Sequence, residues 1–295
     1  MHGTIDGFSY GFVTPVAAYI MACLGSALGL RCVVRSLLNQ GSWKPGWLAL
    51  GAAAIGCGIW TMHFIAMIGF QVKESAVRYD VGLTVTSLAV AIVVVGIGVF
   101  VVGYRGATPV ALSTAGIVTG LGVAAMHYLG MAALQVNGAI RYDTATVALS
   151  VVIAIVAATA ALWAAVSIRG FLTSLGASLV MGVAVSGMHY TGMAAVSVHL
   201  HDASTTTTWS GTSPTSLLLP MLIGPTLFLL LAAVVVMFDP LLVLGDSEWG
   251  SKASRQRPAR QTEPAPPIPR QSAKQHPWQP SMSRQRTATR TDLRL

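Results

Sequence analysis

Charged side chains are scarce in this sequence: they make up 9% of its 295 residues, while 54% are hydrophobic. A soluble domain carries about 25% charged residues. The shortage excludes an ordinary cytosolic enzyme, and the apolar excess excludes a chain disordered throughout. Cysteine is also sparse. Cys23, Cys32 and Cys57 all fall inside apolar segments, and an odd, small set without a CxxC pair excludes a disulfide framework and a cysteine metal site. No nucleophile–base pair, paired carboxylates or phosphate-cradling loop is evident, so catalysis is the least supported class and the chain is expected not to be an enzyme. No basic segment precedes the first apolar stretch, which therefore does not read as a cleaved signal peptide.

What the sequence has is length of apolar run. Seven stretches, near 11–34, 47–70, 81–103, 110–134, 146–168, 172–198 and 217–244, reach the roughly 20 residues that cross a bilayer. In lipid the backbone must satisfy its own hydrogen bonds, so these are helices. The fold expected is an all-α membrane protein: a short outer segment over 1–10, a seven-helix membrane domain over 11–244, and a basic tail over 245–295. Lys and Arg number 15 on the side of Arg35 and 3 on the other, or 5 against 3 without the tail. The positive-inside rule then places the N-terminus outside and the C-terminus in the cytoplasm. Tyr10, Phe12, Trp43, Trp47, Tyr79 and Tyr142 are expected at interfacial depth. Closely spaced glycines (Gly25 and Gly29, Gly56 and Gly58, Gly116, Gly120 and Gly122) suit close helix packing. The tail, rich in Pro, Gln, Ser, Thr and Arg, is expected to be disordered. Its charge draws it to anionic lipid. No fold or aromatic platform accompanies that charge, so nucleic acid is not an expected partner.

The second, fourth and sixth stretches repeat one pattern, G-x-[GA]-x-x-x-M-H-[YF]-x-[GA]-M, over 56–67, 120–131 and 182–193. Three repeated hairpins thus follow helix 1. Arg78-Tyr79-Asp80 after the first motif recurs as Arg141-Tyr142-Asp143 after the second; His199, His201 and Asp202 follow the third. The two Arg-Tyr-Asp elements read as interface charges, with a role at helix starts as the second reading.

All three motif helices run the same way, so the motifs share one depth. With the boundaries above, each histidine sits 7 to 9 residues before the outer helix end, about 10–14 Å below the surface. His63 and Met67 are four residues apart and share a face, as do His127 with Met131 and His189 with Met193. Met62, Met126 and Met188 point about 100° away from their histidines. One such motif reads as packing, with a histidine bonded to a neighbour and methionine filling space. Three ionisable groups at one depth inside a membrane read as a site. Thioether sulfur selects Cu(I), and imidazole suits copper, zinc and iron. No cysteine or carboxylate repeats with them, which disfavours zinc and di-iron. Haem held by two histidines, or by His and Met, is the less favoured cofactor. A transporter or metal-handling protein using the same intramembrane site is the alternative function.

The three motifs resemble those of the MHYT family of bacterial membrane sensor domains, and the likeness covers about 9–203. The resemblance implies a multi-pass sensor in the bacterial cytoplasmic (inner) membrane. It implies one or two copper ions held by motif Met, His and Tyr, and a response to O2, CO or NO. By position the implied ligands are Met62, His63 and Met67; Met126, His127, Tyr128 and Met131; and Met188, His189, Tyr190 and Met193. Phe64 replaces tyrosine in the first copy and offers no phenolate. Members are often joined to a diguanylate cyclase, phosphodiesterase or histidine kinase. The tail is too short and polar for such a module, so a stand-alone member signalling through its tail or an unknown cytoplasmic partner is expected.

Overall fold

A computed structural model describes residues 4–7, 9–38, 43–72, 75–168, 170–200 and 214–239. The expected tail over 245–295, with Lys73, Arg169, His201 and Asp202, lies outside the described residues. Each of the seven apolar stretches is a helix long and apolar enough to cross a membrane. They are α1 (Val13–Leu38), α2 (Lys44–Ile68), α3 (Val81–Arg105), α4 (Pro109–Ala132), α5 (Thr144–Ser167), α6 (Phe171–Ala194) and α7 (Pro214–Met237). The chain is a multi-pass, predominantly helical membrane protein.

Six helices close into a ring. Each of α1 to α6 packs on its neighbours in sequence, and α1 also packs on α6; α7 lies against α1 and α2. Glycine permits the closest approach. A Cβ on Gly25 would sit 2.6 Å from the Gly58 Cα, and one on Gly58 would sit 2.7 Å from the Gly25 Cα. At the α2–α3 seam the buried Trp60 Nε1–H donates to Ser87 Oγ at 2.9 Å.

The end of the ring nearest the motifs carries small strands that the apolar pattern did not foretell. Helix α6 stops at Ala194 rather than continuing to 198, because Val196–Leu200 (β6) pairs antiparallel with Gly138–Tyr142 (β5). Arg78–Tyr79 (β3) pairs with Leu134–Gln135 (β4), and Ile5–Asp6 (β1) with Gln71–Val72 (β2). In each pair, the segment before an odd-numbered helix meets the segment after the next even-numbered one. The strands therefore tie α1 to α2, α3 to α4 and α5 to α6, so helix 1 enters the repeat as the partner of helix 2. One backbone bond recurs at the same place: Asp80 N–H to Ala133 O (2.9 Å), Asp143 N–H to Ala195 O (2.9 Å) and Ser9 N–H to Gly69 O (3.2 Å).

The Arg-Tyr-Asp elements thus belong to the architecture. Arg and Tyr enter a strand and the aspartate caps a helix. Asp80 Oδ1 accepts from Leu83 N–H at 2.7 Å. Asp143 Oδ1 accepts from Thr146 N–H at 2.9 Å and from its hydroxyl at 2.6 Å. These two bonds hold the Asp143 carboxyl below the usual carboxylate range. Tyr79 stands beside the start of α3, as expected, but does not face outward. It is buried, with its ring 6.2 Å from that of Phe64, because β3 folds it over the end of α2. Tyr10, Phe12, Trp43 and Tyr142 are exposed as interfacial residues would be.

Candidate metal centre

Each motif histidine stands five residues before the end of its helix: His63 in α2, His127 in α4 and His189 in α6. That places all three about 7–8 Å from the helix ends. They share one depth, shallower than the apolar runs alone suggest because the strands shorten the helices. All three are buried, and they converge. Ring centroids are 4.9 Å apart for His63–His127, 5.0 Å for His63–His189 and 5.2 Å for His127–His189. The planes cross at 80–87°. His63 Nδ1 lies 3.0 Å from His189 Nδ1 and 3.2 Å from His127 Nδ1. Three nitrogens bound to one ion at about 2.0–2.1 Å in a tetrahedral face lie about 3.3 Å apart. The two separations from His63 Nδ1 are within a few tenths of an ångström of that spacing, and all three rings offer a nitrogen within 4.8 Å of the others.

What holds the rings is packing. Each histidine meets the aromatic ring that follows it edge-on: His63 with Phe64 at 4.6 Å, His127 with Tyr128 at 4.9 Å and His189 with Tyr190 at 5.0 Å. This contact needs a ring and no hydroxyl, so Phe64 serves the first copy as well as tyrosine serves the others. The backs of two rings are roofed by glycine from the next motif helix. A Cβ on Gly130 would lie 2.5 Å from His63 Nε2, and one on Gly192 would lie 2.5 Å from His127 Nε2. Both Nε2 atoms are buried without a hydrogen-bond partner. These glycines are visible in the repeat as its [GA] position, but nothing in the sequence says that a neighbouring histidine lies there.

A family model described as the bacterial signalling protein N-terminal repeat, MHYT, matches residues 56–115 and 120–178. The chain carries two MHYT repeats. The two matched repeats start at the first two motifs. The MHYT motif of α6 follows the second match and supplies the third histidine of the triad. The chain is 40% identical over 192 residues to the bifunctional diguanylate cyclase/cyclic di-GMP phosphodiesterase MucR of Pseudomonas aeruginosa, covering 63% of this chain and 28% of that protein. It is 34% identical over 203 residues to the cyclic di-GMP phosphodiesterase NbdA of the same organism, covering 65% and 26%. It is 29% identical over 198 residues to the signaling protein YkoW of Bacillus subtilis, covering 65% and 24%. The chain thus matches about a quarter of each relative's length. No solved structure matches it.

The other MHYT positions divide by direction. Met62, Met67, Met126, Met131 and Met188 are fully buried, and Met193 is partly exposed. Met67 and Met193 line a cavity together with His189 and Tyr190. The Tyr128 hydroxyl is 2.6 Å from Ser150 Oγ on α5, so it faces the neighbouring helix. Met188 turns the other way and lines a second, apolar cavity of about 50 Å³. All six ring helices contribute to that cavity's wall, and Ile59, Val123 and Val185 stand there one turn below the three histidines. His199 lies in β6, outside the triad.

Proposed function

We propose that this protein is a membrane sensor of signalling, with one copper ion bound by Nδ1 of His63, His127 and His189. The observation that carries the reading is the convergence of those nitrogens from three separate helices, at 3.0 and 3.2 Å. The donor set fits the group. Three neutral imidazoles leave a coordination position open, and six thioethers on the same three helices suit a soft ion. Bound there, copper would supply a Lewis-acid and redox centre for a diatomic ligand such as O2, CO or NO. A macrocycle held by two histidines needs them on opposite faces, and rings this close offer it no slot, which favours copper over haem.

The chain's own residues do the rest. The ring planes, set edge-on to Phe64, Tyr128 and Tyr190, hold the nitrogens in place. The apolar floor of Ile59, Val123 and Val185 keeps water and protons from passing toward the other end of the bundle. That floor disfavours transport, which needs a polar path. A ligand that changes the spacing of the nitrogens shifts the packing of α2, α4 and α6, and in a closed ring the shift spreads to every seam. The motif end faces outward by the positive-inside rule, in the cytoplasmic membrane of a bacterium. The matched stretch recurs in enzymes of cyclic di-GMP metabolism, and we place the output of this chain in the same second-messenger signalling, through a cytoplasmic partner.

The test is metal analysis of the full chain purified from copper-replete cells, alone and with each histidine changed to alanine. The reading expects about one copper per chain, lost in all three variants. Copper absent from the parent protein, or undiminished in the variants, sinks it.

A further inference from the structure

The repeat is threefold in sequence and the three histidines are equally buried, yet they are not roofed alike. His63 is roofed by Gly130 and His127 by Gly192, each so closely that a single methyl would collide with the ring. The matching position in the first motif is Ala66, and a methyl is already present. At that seam, between α2 and α6, a cavity of about 280 Å³ opens beside His189, lined by Ala66, Met67, Tyr190, Met193 and Ala194. Ala194 is exposed at the helix end, Met193 is half-buried and Met67 is buried, so the wall runs inward from the rim to the triad. Two methionines, Met67 on α2 and Met193 on α6, thus line this cavity. Deeper in the ring, the walls are mostly apolar.

The geometry points to His189 as the entry corner of the triad: a soft monovalent cation, Cu(I) or Ag(I), reaches the histidines from the motif end through the cavity between α2 and α6, passing Met67 and Met193. This rests on the copper reading for the identity of the cation, while the route itself rests on the unequal roofs. Water bound to a hard cation is shed reluctantly, whereas thioethers take up soft ions readily. The passage thereby selects for a soft ion before the imidazoles are reached.

Two measurements on the full chain test the route. In the first, Cys23, Cys32 and Cys57 are changed to alanine and a single cysteine is placed by Met67→Cys or Met131→Cys. Both methionines are buried to the same degree, but only Met67 lines the cavity. A small, charged, membrane-impermeant thiol reagent should label the Met67→Cys protein at least tenfold faster, and Ag(I) should slow that labelling. Equal rates for the two proteins overturn the route. In the second, Ala194→Trp places a large ring at the exposed rim, where folding is not at stake. Cu(I) uptake, followed by competition with a coloured chelator, should slow at least tenfold with the final stoichiometry unchanged. Uptake at the parent rate overturns the route alone. A parent protein that takes up no Cu(I) overturns both the route and the copper reading.

Discussion

The two ends of the helical ring are built from similar apolar helices but do different work. At the motif end, short strands join consecutive helices, aspartates cap α3 and α5, and three histidines face one another. Toward the opposite end the histidines' place is taken by small residues in backbone contact, such as Gly29 against Gly51. There too the Arg35 guanidinium meets Asp239 at 2.7 Å, which ties α1 to the end of α7. The lesson is that composition alone does not distinguish the end that gathers a candidate site from the end that does not. What distinguishes them is whether polar groups converge or are spent singly on capping and pairing.

The strongest way to break this contrast is at the triad. His127→Ala should lower copper affinity by more than about 100-fold, since even an outer-shell partner of a metal site is worth 10–100-fold; equilibrium titration with Cu(I) checks it. Next, a methyl can be added at either end. Gly130→Ala drives Cβ into His63 Nε2 and should cost about 1–3 kcal/mol in overpacking, read as a loss of copper affinity of roughly 5- to 150-fold. Gly29→Ala drives Cβ into the Ile55 side chain and against the Gly51 carbonyl oxygen and should cost a similar amount of thermal stability, about 1–3 kcal/mol, while copper affinity stays at the parent value. If both variants lose affinity equally, the two ends are not separable.

Smaller effects sharpen the picture. Tyr128→Phe removes the hydroxyl bonded to Ser150 and should cost about 1 kcal/mol of stability. Its copper content and visible spectrum should match the parent's, because Phe64 already stands at that position in the first motif; a changed spectrum would make the phenol a ligand. Asp80→Ala removes the cap of α3 and should lower stability by about 1 kcal/mol, with no change in copper binding, as thermal melts and metal titration on the same sample would show.

Much of this was legible in the sequence. Seven spans follow from apolar length, and the shared depth of His63, His127 and His189 follows from the repeat. The convergence of the rings does not, because it depends on which way each helix is rotated about its axis, and these helices are apolar on nearly every face. The strands escaped notice since segments such as Val196–Leu200 are as apolar as the helix they follow. The glycine roofs escaped because Gly130 and Gly192 act on histidines 67 and 65 residues away in sequence. The tyrosines, taken with their histidines as ligands on family likeness, lie one position round the helix. That 100° step carries the Tyr128 hydroxyl to Ser150.

The apolar hollow beneath the triad makes the protein sensitive to volume. A void of about 50 Å³ corresponds to about 30 mL per mole, comparable to the volume change when a small protein unfolds under pressure. Any rearrangement of the six helices that closes the hollow is favoured by compression. Hydrostatic pressure is therefore a handle on the bundle that requires neither metal nor gas, and it acts one helical turn from the imidazoles.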